Sequence, residues 1–348
     1  MPLKEKLLLQ RIRRAAARRG AGIAFGIGDD CSVLRLPPGH EALVTTDFSL
    51  EGVHFRREWH PADSVGHRCL TRGLSDIAAM GGIPRAAFLS LALPQDLPQK
   101  WIDQFLAGLL KLADRYSVVL AGGDTAQSPQ GILADIVVLG SVPAGRAILR
   151  SGAKPGDQIY VTGTLGSALT ALNRLRDGEK LKPRSHPKHF YPEPRLEVGQ
   201  FLREKKLASA MIDISDGLST DLAHICEESH VAAVLSSDGL EIVAVIRPEQ
   251  RFVSGHDPSA GSGQAFSPAE SGSIKGGALA PADLAVALHG GDEYELLFTA
   301  PPNRRIPKKI ADVPITRIGE IARGRSVKLV TADGTSKLLK PAGWEHFA

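Results

Sequence analysis

Apolar positions in the first half of the chain switch between strand and helix spacing. Residues 41–46 (EALVTT), 86–93 (AAFLSLAL), 117–125 (SVVLAGGDT) and 132–142 (ILADIVVLGSV) are short apolar or β-branched runs and predict strands. Between them, residues 62–80 set Val65, Leu70, Leu74, Ile77 and Ala78 on one stripe, and 100–116 repeats that period; both predict helices. A Gly/Pro turn cluster, RSGAKPGDQ at 150–158, marks a boundary. A second series follows: a strand at 160–163, helices near 165–177 and 194–205, and a strand through 209–217 that ends in acids. A helix then runs to about Glu228, and 289–299 turns into a strand. The pattern is α/β (α+β). With 348 residues it predicts two domains, 1–149 and 150–348.

Two stretches stand apart. The start, MPLKEKLLLQRIRRAAARRG, is rich in Arg and poor in acid, as organellar transit peptides are. Leu7, Ile12 and Ala15 fall near one face, and the reading adopted is an amphipathic first helix. Residues 254–280 are rich in Gly, Ser, Ala and Pro and bury too little to offset their ordering entropy. They are expected to be a disordered or mobile insertion, with a catalytic lid as the sharper alternative.

Composition excludes more than it assigns. Apolar residues are 43%, charged residues 23% and net charge +4, as in an ordinary globular protein. The basic residues form no long block, so no nucleic-acid partner is expected. No apolar run reaches the roughly 20 residues of a membrane helix. Cys31, Cys69 and Cys226 are widely spaced, which argues against a zinc site or disulfide framework and for a reducing, cytoplasmic setting.

The unusual feature is the placement of acids. GIGDD gives Asp29 and Asp30, TTD ends a strand at Asp47, GGD gives Asp124, and DISDG gives Asp213 and Asp216. Asp76 sits on a helix about 200° from Leu74, away from the apolar stripe. Singly, each motif is an ordinary Asp/Gly turn. Together they sit at element ends, where open α/β sheets bind ligands. Converging carboxylates need cations, and hard oxygen ligands suit Mg²⁺, with Thr45 and Thr46 able to add hydroxyl or carbonyl oxygens. There is no G-x-x-x-x-G-K-[ST], H-E-x-x-H, G-x-S-x-G or protein-kinase motif pair, and GIGDDC fails the dinucleotide pattern at Cys31.

In order along nearly the whole chain, GIGDDCSVL, VTTDFSLEGVHF, LSDIAAMGGIPRAAFLSLALP, AGGDT, RSGAKPGDQIYVTGTLG, IDISDGLSTDL and HGGDEYELLFT resemble the thiamine-monophosphate kinase family. That family belongs to the aminoimidazole ribonucleotide synthetase-like superfamily. The resemblance implies two α/β domains, the first with a mixed sheet that closes a β-barrel across a homodimer. It implies direct in-line transfer of the γ-phosphate of ATP to thiamine monophosphate with several Mg²⁺ ions and no phospho-enzyme. It implies metal positions at Asp30, Thr45, Thr46, Asp47, Asp76, Asp124, Asp213 and Asp216, and nucleotide contacts at Gly123, Asp124, Arg150 and Ser215. Substrate contacts fall at His54, Asp292 and Trp344, an acid for the aminopyrimidine and an aromatic face for the thiazolium. No side chain is implied as acid or base. One departure stands out: the family's usual Glu-Asp order in GGED-Y-E-L is reversed here, as Asp292–Glu293. The rival readings are another ATP-using enzyme of the superfamily, a nucleotide- or thiamine-phosphate-binding protein without turnover, and a basic RNA-associated module.

Overall fold

The computed structural model describes residues 5–16, 22–28, 30–243 and 281–345. Asp29 and the 254–280 insertion lie outside them. The first described element is α1 (Glu5–Ala15). Its inward residues are Leu8, Ile12 and the following Ala16, while Leu7 and Ala15 are exposed. The expected face of Leu7, Ile12 and Ala15 is therefore corrected by a small rotation: spacing of four keeps residues within about 40° of each other, and the expected trio spans far more. Arg11 fixes the helix by pairing with Asp103 at 2.5 Å.

The first half is one sheet under two helices. A short pair, β1 (Ile23–Phe25) and β2 (Val33–Leu34), precedes β3 (His40–Leu50), α2 (Ala62–Ala79), β4 (Ile83–Pro94), α3 (Gln99–Arg115), β5 (Val119–Ser128) and β6 (Leu133–Pro143). Strand order is β3-β6-β4-β5, parallel only between β4 and β5. Helices α2 and α3 cross with almost no gap, since a Cβ on Gly66 would lie 1.9 Å from the Phe105 carbonyl oxygen. The expected stripe of Val65, Leu70, Leu74, Ile77 and Ala78 is buried. On the far face, Val44 is 66% and Phe48 55% exposed. The sheet is open, with β3 and β5 at its edges, and among the described residues no closed barrel forms.

The second half opens with a 3₁₀ turn at Arg150–Gly152. It continues as β7 (Gln158–Thr162), α4 (Ser167–Arg176), α5 (Pro187–Phe190), α6 (Leu196–Glu204), β8 (Ala210–Asp213), α7 (Leu218–Glu228), β9 (Ala232–Ser236) and α8 (Ser237–Val243). After the gap come α9 (Pro281–His289), β10 (Leu296–Ala300), β11 (Lys309–Ile310), β12 (Val313–Ala322), β13 (Val327–Val330) and β14 (Ser336–Leu338). The sheet runs β14-β13-β9-β12-β7-β10-β8 with β11 on β12, and only β9 and β13 pair in parallel. The strand expected through 209–217 stops at Asp213. Beyond it the backbone N–H groups of Asp216 and Gly217 donate to the Asp221 carboxylate, which turns the chain into α7.

One apolar cluster joins the halves, running from Leu70 and Leu74 to Leu196, Leu202 and Met211. Helix α2 thus packs against its own sheet, α3, α6 and β8 at once. Its apolar residues join the shared core, and its Asp63, Arg68, Arg72 and Ser75 bond to the second half of the chain.

Candidate active site

Strand periodicity puts Thr45 and Asp47 of β3 on the side facing α2. Helix α2 answers with Ser75 and Asp76, and β8 delivers Asp213 from the other half. Thr45 Oγ1 donates to Asp76 Oδ2, and Ser75 Oγ donates to Asp213 Oδ2 at 2.6 Å. Asp47 Oδ2 is buried with no hydrogen-bond partner. Burial, and then the neighbouring Asp76 carboxylate, push Asp47 up to about 8 and Asp213 up to about 7. Burial raises Asp76 too, against the Thr45 hydroxyl and the nearby Arg150 and Arg72 guanidinium groups. Asp221 is pushed to about 8 by burial and by the charges of Asp213 and Asp216. Acids packed this closely want a cation.

The donor set fits a hard divalent ion. It is carboxylate and hydroxyl oxygen, partly buried, with an orphaned oxygen on Asp47. Among the described residues, though, no group of three or more His, Cys, Asp or Glu is arranged to hold one. The oxygens turn toward Thr45, Ser75 and one another instead.

A second group gathers where three chain segments meet. The Asp292 N–H donates to the Ser215 carbonyl at 2.7 Å, and the Trp344 N–H to the Asp216 carbonyl at 2.9 Å. Ser215, Asp216, Asp292 and Trp344 are thereby neighbours, and the Trp344 ring is about half exposed. The Asp292 carboxylate takes Arg68 Nη2 at 2.8 Å, Arg72 Nη2 at 3.1 Å and the Tyr294 hydroxyl at 2.6 Å. These cations hold it well below the usual carboxylate range, against the opposing effect of its partial burial. Glu293 points elsewhere: its Oε1 accepts the N–H groups of Gly166 and Ala168 at the start of α4. Burial pushes Glu293 up to about 7.

The remaining expected residues are less gathered. Asp124 is exposed on β5 and accepts its neighbour's N–H from Thr125 at 2.8 Å. Gly123, at φ +145°, has no room for a side chain, because a Cβ would lie 1.9 Å from the Leu89 carbonyl oxygen. The loop carrying Asp30 is tied to β5 by Ser32 Oγ, which donates to the Ala121 carbonyl at 2.5 Å. His54 Nδ1 accepts the Leu50 N–H at 3.0 Å, which fixes its ring in the turn after β3. Thr46 lies on the other face of β3, where its hydroxyl donates to Asp135 at 2.7 Å. Its side chain is not brought to the acidic cluster, so only its backbone oxygen could serve there.

Sequence reasoning missed Arg68, Arg72, Ser75, Asp221 and Tyr294. A signal existed for two of them. Arg68, Arg72 and Asp76 recur every four residues and so share the face of α2 opposite Leu74.

Comparison with known proteins adds the following. Residues 28–142 match the family described as AIR synthase related protein, N-terminal domain, and 154–331 match its C-terminal domain. The chain is 36% identical over 337 residues to thiamine-monophosphate kinase of Salmonella typhimurium, covering 94% of this chain and 93% of that protein. It is 32% identical over 340 residues to the Bacillus subtilis enzyme, covering 94% of each. Among solved structures, thiamine-monophosphate kinase from Stenotrophomonas maltophilia K279a superposes with a TM-score of 0.75 at 34% identity, covering 97% of this chain and 99% of that one. A structure described as AaThiL complexed with AMPPCP and TMP gives 0.70 at 28% identity, covering 100% and 99%. Hydrogenase maturation protein HypE shares the fold at 18% identity and 0.71.

Proposed function

Since the chain belongs to the thiamine-monophosphate kinases of the AIR synthase related family, we propose that it transfers the γ-phosphate of ATP to thiamine monophosphate, giving thiamine diphosphate and ADP. The observation that carries this reading is the meeting of Asp47, Asp76 and Asp213 with Arg72 and Arg150 at the seam of the two halves. Such a site neutralises and positions anions, which is the main demand of phosphoryl transfer.

An ionised oxygen of the acceptor phosphate attacks the γ-phosphorus. The new O–P bond forms as the bond to the β-phosphate bridging oxygen breaks, and ADP leaves with that electron pair. The nucleophile carries no proton that must be removed, so no general base is needed. Bound Mg²⁺ would supply positive charge that offsets the charge of the phosphates. Asp30, Asp47, Asp76, Asp124, Asp213 and Asp216 would hold several such ions, with oxygens of Thr45 and Thr46. Gly123, Asp124, Arg150 and Ser215 contact the nucleotide. Gly123 lets the backbone approach closely, and Arg150 forks onto phosphate oxygens. His54, Asp292 and Trp344 take the acceptor, with the Trp344 ring against the thiazolium cation.

The protein works as a homodimer in the cytoplasm. The exposed Val44 and Phe48 on edge strand β3 supply an apolar face for a second copy, whose sheet would complete a barrel. No helix among the described residues is long and apolar enough to cross a membrane.

The test is product formation. Purified protein is incubated with MgATP and thiamine monophosphate, thiamine or no acceptor, with EDTA and Asp47→Asn controls. Thiamine diphosphate made only from the monophosphate, and lost in both controls, supports the reading. Protein that binds MgATP and makes no thiamine diphosphate overturns it.

A further inference from the structure

Arg72 links both groups of the site, one by a hydrogen bond and the other by its charge. Its side chain is 12% exposed, on the face of α2 between Arg68 and Asp76. On one side it donates to Asp292 Oδ1 at 3.1 Å, beside the Tyr294 hydroxyl. On the other its charge acts on Asp47 and Asp76. Arg68 differs: it is 4% exposed and divides its guanidinium between Asp292 Oδ2 and the His189 carbonyl. That makes Arg68 an anchor between the halves. Arg72 has no such backbone partner among the described hydrogen bonds and spans two functional groups.

Asp292 needs this support. Its backbone is left-handed, φ +59°, and the side chain is 32% exposed on a loop leading into β10. Without the arginines nothing on its own element except Tyr294 would fix its carboxylate plane. With them, both oxygens are held and at least one lone pair remains for an outside donor, because a carboxylate has about four acceptor positions. The chain's Asp-Glu order matters here. The shorter Asp292 is pinned by α2, and the longer Glu293 reaches back to cap α4.

We propose that Arg72 is a positioning residue for acceptor use: it sets the Asp292 carboxylate against the acidic cluster, so that the acceptor's ring end and phosphate end are held in register. This rests on the kinase reading and on Asp292 as an acceptor contact. Arg72 acts on the acceptor through the orientation of Asp292, while its charge toward the acidic cluster is one that a lysine would keep.

The experiment begins with wild-type turnover of thiamine monophosphate, whose absence would sink the kinase reading itself. Given turnover, steady-state kinetics are measured for Arg72→Lys, Asp292→Asn and the double variant, varying each substrate in turn and recording melting temperatures. Arg72→Lys keeps the charge and loses the planar fork. The expected result is a fall of at least about tenfold in kcat/KM for thiamine monophosphate, the size of one lost oriented contact. KM for ATP stays within about twofold, and the lysine change adds less than about twofold on the Asp292→Asn background. Equal loss for both substrates, full additivity with Asp292→Asn, or unchanged kinetics overturns the proposal. Should Arg72→Lys fail to fold, Tyr294→Phe decides. It removes one hydroxyl from Asp292 Oδ1, and a smaller loss selective for thiamine monophosphate supports the proposal, while unaltered kinetics refutes it.

Discussion

Replacing Asp47 with Asn should make the metal-free protein more stable while destroying the site. Asp47 is lifted from 3.8 to about 8 by burial and by Asp76. A group whose folded pKa is raised favours folding below its unfolded value and loses that contribution as pH rises toward the folded one. Each unit is about 1.4 kcal/mol, so at pH 7 the strain has an upper bound of about 4 kcal/mol. Screening by water and salt brings a realistic figure to about 2 kcal/mol. In a chain of 348 residues that corresponds to about 3 °C in melting temperature. In EDTA, Asp47→Asn should therefore melt about 3 °C above wild type at pH 7, with the gap shrinking toward pH 4 and largest near pH 8. Magnesium at a hundred times its dissociation constant stabilises a binding-competent fold by about 2.7 kcal/mol. Added magnesium should close or reverse the order, because the variant loses part of the ion's binding site. Differential scanning fluorimetry over pH, with and without magnesium, reads all of this without reference to activity. A variant less stable than wild type in EDTA, or one that magnesium stabilises as much as wild type, would show that these acids are not a strained cation site.

Four further outcomes follow from other parts of the molecule. Gly123→Ala should abolish turnover and lower stability by more than about 2 kcal/mol, since its Cβ meets the Leu89 carbonyl at 1.9 Å and φ is +145°; urea melts and kinetics check both. Arg195→Met should cost about 3 kcal/mol in a urea melt, because fully buried Glu295 loses its fork at 2.6 and 2.7 Å and keeps Lys188 and the Thr162 hydroxyl. His60 and His189 face each other at 3.1 Å, and burial, then the Arg68 charge, depress them to about 4 and about 3. Their contribution is complete above pH 6.5 and is lost as pH falls toward 4, so a His60→Gln/His189→Gln double variant should flatten the acid limb of stability against pH. Trp344→Ala should raise KM for thiamine monophosphate about tenfold, with little change for ATP, if the half-exposed ring holds the thiazolium; equal changes in both would count against that role.

The elements that build the acidic cluster were legible because each is regular and bounded. Strand β3 and helix α2 have clean periods, and Asp76 could be placed opposite Leu74 by angle alone. Strand β12 could not be read. Ile315, Ile318 and Ile321 are buried at spacing three, because the pairing with β7 shifts between Arg317 and Gly319. A strand template with period two does not see that. Among site residues, Asp213 announced itself at a strand end; Asp47 and Asp124, expected at strand ends, lie inside β3 and β5 because both strands run on past them. Asp221 reads as an ordinary helical acid until the turn it caps is known. Thr46 shows the converse: its neighbours suggested a shared role, but alternation along β3 sends its side chain to the other face. Arg68 and Arg72 were hidden because their partner lies more than two hundred residues away in sequence.

Helix α2 is where the two halves of the chain join. Its apolar residues belong to the core that joins the halves, and polar residues along its length bond to the second half. Tyr191 donates to Asp63, Arg68 and Arg72 donate to Asp292, and Ser75 donates to Asp213. A helix buried all round normally carries apolar residues on every face. Here the polar face is kept, and its last turns hold the residues that meet the acids of β3 and β8. Each buried polar group on it needs its partner, because an unpaired one costs about 1–3 kcal/mol. The two halves are thus held at one relative position by the same bonds that orient Asp213 and Asp292. Substitutions on the polar stripe should consequently trade stability and acceptor use together at Arg68 and Ser75, and separate them only at Arg72.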